Sequence, residues 1–69
     1  MFKNYYKKKF ITMIEQQIQA HWVMYDLLGE RFYKAESNYD KDCMIQLSGE
    51  ELTRINELKQ VIKLIENQL

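Results

Sequence analysis

One apolar stripe constrains this chain more than any other feature of its sequence. Ile11, Ile14, Ile18, His21, Tyr25, Leu28, Phe32, Ala35 and Tyr39 follow one another at alternating steps of three and four. That spacing puts all of them on one face of a helix, as the core positions of a coiled coil are. A stripe this long stays in water unless another surface covers it. The chain is therefore first an interaction protein, whether the covering surface is its own or a partner's.

A second stripe, Leu52, Ile55, Leu58, Ile62, Ile65 and Leu69, is widened by Val61 and Leu64. Widened stripes belong to bundles rather than to narrow two-stranded coils. The expected fold is all-α: a helical hairpin of one long and one shorter amphipathic helix, forming one small domain. The spacing predicts the long helix over 10–36, a connection over 37–47 and the shorter helix over 48–69. Residues 1–9 form a basic segment, frayed or making an early helical turn. Ser37, Asn38, Asp40 and Asp42 supply turn formers, and residues 43–47 have the length of a short extended segment. Ser48 followed by Glu51 reads as a capping box, with Leu47 and Leu52 as its hydrophobic staple. Gly29 is the weak point of the long helix, at a cost of about 1 kcal/mol against alanine. The register continues past it, which predicts an unbroken helix. With ~1.5 Å of rise per residue, the long helix should project past the shorter one.

The 69 residues allow one domain, and a domain of this size is marginal in stability. Cys43 is the only cysteine, so no internal disulfide can form, and His21 with Cys43 is too sparse a set for a metal cage. Oligomerisation or partner binding is the remaining route to stability. A homodimer is expected, as a four-helix bundle or a coiled coil. Off the first stripe, Phe10, Met13, Trp22, Val23, Met24 and Leu27 give the long helix a further apolar face. The run from His21 to Leu28 is apolar almost all round, and tryptophan and tyrosine are favoured interface anchors. The expected protein interface is Ile14, Ile18, His21, Trp22, Tyr25, Leu28 and Phe32. Within it, His21 is expected to be a hydrogen-bonded seam residue that sets register.

Charge is balanced overall but not along the chain. Residues 1–14 carry Lys3, Lys7, Lys8 and Lys9 with no acid, and residues 15–69 carry a net −4. Lys3, Tyr5, Tyr6, Lys7, Lys8 and Lys9 interleave bases with aromatics. This is a candidate nucleic-acid contact, with lysines on phosphates and tyrosines on bases. No arginine stands there for bidentate reading of guanine, so such binding would tolerate sequence. An anionic membrane surface is another partner of the right sign. The apolar run after the lysines is too short for a signal peptide, and no stretch has the length of a membrane span. A lone thiol fits a reducing compartment. Together these give an intracellular, cytoplasmic expectation.

No catalytic motif is present: there is no glycine-rich phosphate loop, HExxH, paired CxxC or serine elbow. Two helices also enclose a pocket poorly. The expectation is a protein that is not an enzyme and uses no cofactor and no metal.

In its Lys-, Asn-, Ile- and Tyr-leaning composition and its lack of proline, the chain resembles short stand-alone proteins of phages and mobile elements. That likeness implies a regulator or host-defence antagonist, such as an anti-CRISPR, that binds and inhibits a partner protein. A formal charge of zero departs from the heavy negative charge of inhibitors that mimic DNA. A dimer of helical hairpins also resembles the architecture of the plasmid RNA-binding Rop family. This implies the alternative function, a dimeric nucleic-acid binder using its basic N-terminal segment.

Overall fold

A computed structural model describes the backbone of residues 2–67 and the side chains of residues 4–67. It contains two helices, α1 (Phe2–Lys34) and α2 (Asn38–Asn67), packed side by side as a hairpin. The molecule measures 55 × 15 × 9 Å, with a radius of gyration of 16.1 Å. A globular chain of this length would have about 11 Å. The hairpin is thus a rod with one interface, not a ball with a core.

The seam runs as the heptad spacing requires, from Lys7 and Ile11 up to Phe32 on α1, with half-buried Ala35 following in the connection. Its partner on α2 is Met44, Ser48, Glu51, Ile55, Leu58, Ile62 and Ile65. Only Leu28 (5% exposed) and Ile55 (1%) are buried among the described residues; the other seam side chains are half-covered. α1 passes through Gly29 without a break.

The boundaries differ from the sequence expectation at each junction. α1 begins at Phe2 rather than near residue 10. No helix breaker stands in the basic segment, and Lys7 extends the seam by one step. Its Nζ donates to the Glu66 carbonyl oxygen at 3.2 Å, tying it to the last turn of α2, where the dipole favours a cation. The connection is Ala35–Ser37, not 37–47, and Cys43–Leu47 is helical, not extended. With α1 and α2 nearly equal in length, no long overhang remains. Tyr39 does not extend the α1 seam; it lies in the first turn of α2 and is exposed.

Ser37, not Ser48, caps α2. Its hydroxyl accepts the Asp40 N–H at 3.1 Å and its carbonyl accepts the Lys41 N–H at 3.1 Å. Both are N-cap bonds, and Asp40 adds a carboxylate at the positive end of the dipole. Ser48 sits inside the helix, where its hydroxyl donates to the Met44 carbonyl at 2.8 Å. That bond satisfies the serine without ending the helix. The capping-box signal loses because three further turns, Asn38–Leu47, gain cover by packing against the last turns of α1. The final expected seam residue, Leu69, lies outside the described residues.

Candidate functional site

At mid-seam two polar side chains meet among apolar ones. The His21 ring nitrogen Nδ1 donates to Glu51 Oε2 at 2.5 Å, with the side chains 28% and 19% exposed. The carboxylate only accepts, so Nδ1 carries the proton. A slip of one heptad would set His21 opposite Met44 or Leu58 and Glu51 opposite Ile14 or Leu28. Leaving a half-buried polar group unpaired costs about 1–3 kcal/mol. The pair therefore favours this register over those slips, and His21 is hydrogen-bonded on the seam. Glu51 was not expected here, because its sequence neighbourhood reads as a cap. The signal that locates it is the step pattern Met44, Ser48, Glu51, Ile55, which continues the α2 stripe upstream.

The expected interface residues fall into two groups. Ile14, Ile18, His21, Leu28 and the inner edges of Tyr25 and Phe32 face α2, so the hairpin itself covers much of that stripe. Trp22 lies on one flank. Its ring meets Tyr25 edge-to-face, with centroids 5.6 Å apart, and Lys59 Nζ lies 5.7 Å from the Trp22 centroid. Both geometries are attractive.

On that flank, toward the turn, a groove of about 530 Å³ opens between the helices. Tyr25, Phe32 and Tyr33 border it from α1, and Ile45 and Leu52 from α2. Gly29 and Gly49 form part of its floor, one from each helix. A Cβ added at either glycine would meet nothing within 4 Å. The groove exists because two side chains are missing, and it lets another backbone approach closely. Tyr33 stands beside it, 87% exposed.

The opposite flank has hollows of another kind, each lined from one helix: about 160 Å³ beside Tyr6, Lys9, Phe10 and Met13, and about 430 Å³ among Glu50, Thr53, Arg54 and Glu57. Tyr6, Phe10, Met13, Gln17, Ala20, Met24 and Leu27 lie there, each one residue ahead of a seam position. Of these, Tyr6, Phe10, Met13, Met24 and Leu27 are exposed large apolar side chains, and α2 adds Leu47, Val61 and Leu64 on the same side. The sequence shows this second stripe by the same steps of four and three, hidden behind the stronger first one.

The basic N-terminal residues spread around α1. Lys8 and Lys9 are exposed, Lys7 is half-buried against α2, and Tyr5 and Tyr6 are exposed and edge-to-face at 5.4 Å. The Lys3 side chain lies outside the described residues. Among the described residues, no cluster of three or more His, Cys, Asp or Glu could hold a metal ion, and no helix is long and apolar enough to cross a membrane.

No protein-family model, no curated protein and no solved structure matches this chain.

Proposed function

We propose that this chain is a small, non-catalytic interaction protein that binds a partner protein and modulates it, as an inhibitor that occludes the partner's site. It works inside the cell, in the setting of a phage or mobile element, and as a dimer forming a four-helix bundle. One observation carries the reading. Only two described side chains are buried, while thirteen large apolar ones are at least 40% exposed. Exposure on that scale marks interaction surface rather than a finished fold. The grooved flank, with Tyr25, Phe32 and Tyr33 around two glycines and Trp22 packed edge-to-face on Tyr25, has the aromatic anchors of a binding hot spot. It is the face we assign to the partner protein.

Capture from the chain's native cells tests this, with wild type set against Gly29→Gln and Gly49→Gln. The added Cβ meets nothing within 4 Å at either position, and the longer side chain extends into the groove. A protein held by wild type and lost with both variants, at unchanged helicity, supports the reading. Identical capture by all three chains, or none by wild type, overturns it.

A second reading, nucleic-acid binding, draws on the exposure of Lys8 and Lys9 beside Tyr5 and Tyr6. It requires affinity that falls steeply with salt and falls again when Lys8 and Lys9 become alanine.

A further inference from the structure

We infer that a second copy of this chain covers the flank opposite the Gly29–Gly49 groove, with both copies pointing the same way, so that α1 of each rests on α2 of the other. The inference deepens the reading above, that the hairpin is an interaction module, and assigns its dimer face.

Geometry comes first. A shift of one residue turns a helix by about 100°. The stripe from Tyr6 to Leu27 therefore stands about 100° round α1 from the stripe that packs on α2. In a square four-helix bundle each helix meets two neighbours at roughly this angle. α1 is thus built as a corner helix, and the hairpin supplies only one of its two neighbours.

Area agrees. A compact monomer of 8.5 kDa exposes about 4,650 Å², whereas this chain exposes 5987 Å². The excess, about 1,300 Å² per chain, amounts to roughly 2,700 Å² for a pair. That falls in the range of obligate homodimer interfaces, about 2,000–5,000 Å².

Charge selects the occupant and its direction. α1 carries six basic and three acidic side chains, and α2 four basic and six acidic. A two-fold axis along the rod lays α1 on the partner's α2, so opposite net charges meet. An axis across the rod lays α1 on α1 and α2 on α2, bringing Arg54 toward Arg54 of the other copy. The layers also match in the first arrangement. The His21–Glu51 pairing puts Phe10 level with Val61, Gln17 with Arg54, and Met24 with Leu47. The charged middle of α2 then meets the neutral Gln17 and Ala20, while apolar ends meet apolar ends.

The test combines mass with cross-linking. Light scattering should give twice the mass of one chain, and Phe10→Glu with Met24→Glu should halve it. Both residues are exposed in the hairpin, so loss of mass is not loss of its seam. When Leu27→Cys, Cys43→Ser chains are mixed with wild type, a short thiol-reactive bis-maleimide should join the new thiol to Cys43 of the other copy, giving a covalent dimer. Ala20→Cys with Cys43→Ser should give none. A one-chain mass at every concentration, or covalent dimer from the Ala20 variant and none from the Leu27 variant, overturns the proposal. Should the chain be monomeric while the groove-filled variants still lose their partner, the interaction reading stands and the second copy falls.

Discussion

The two flanks of the hairpin are made from the same helices and offer opposite surfaces. One is a ridge, in which apolar side chains recur at heptad steps from Tyr6 to Leu27, interrupted by Gln17. The other is a local depression, in which two glycines interrupt the pattern and aromatic rings stand at its edge. A repeating ridge can be covered only by something with the same repeat over the same length, which a helix of equal length provides. A depression of about 530 Å³ takes something short, a turn or two of chain. The proposals above therefore give the ridge to a second copy and the depression to a separate partner, with the seam between the helices holding both flanks in place.

The largest expected effect is on that seam. Ile55→Ala should cost about 2–5 kcal/mol, which a rod with only two buried side chains among its described residues cannot absorb, so the helical signal should melt near room temperature. Leu64→Ala, on the ridge and 61% exposed in the hairpin, sharpens the contrast. Its cost should be small in dilute protein and grow with concentration if the ridge is covered. Equal, concentration-independent costs would erase the distinction between seam and ridge.

At the turn, Ser37→Ala should lower stability by about 1 kcal/mol through loss of the N-cap. Ser48→Ala should be neutral or slightly stabilising, because a mid-helix serine is replaced by a better helix former. The reverse order in thermal melts would mean that α2 starts where its capping-box sequence says.

The smallest effect concerns the groove. Gly29→Ala and Gly49→Ala should each raise stability by up to about 1 kcal/mol, since nothing stands in the way of the added methyl. A loss at either position would show that the depression is already filled.

Much of the fold was legible in the residues. Steps of three and four name the seam of α1 from Ile11 to Phe32, carry the helix through Gly29 and place Ile55 in the second stripe. What misled was local chemistry near the turn. Ser48 and Glu51 have the spacing of a cap, and Asn38, Asp40 and Asp42 look like loop. A cap is a signal of about 1 kcal/mol, and it is outweighed when three more turns of helix gain a surface to lie on. Likewise, the ridge and the groove were both written in the sequence, the first as a stripe one residue out of phase and the second as two glycines twenty residues apart. Periodicity along one helix fixes which side chains share a face, because helical geometry alone relates them. Which face meets which, which glycines come to share one groove, and that Glu51 answers His21 across the seam were decided only by the packing of α1 on α2, since contacts between helices depend on register, and register is a property of the pair.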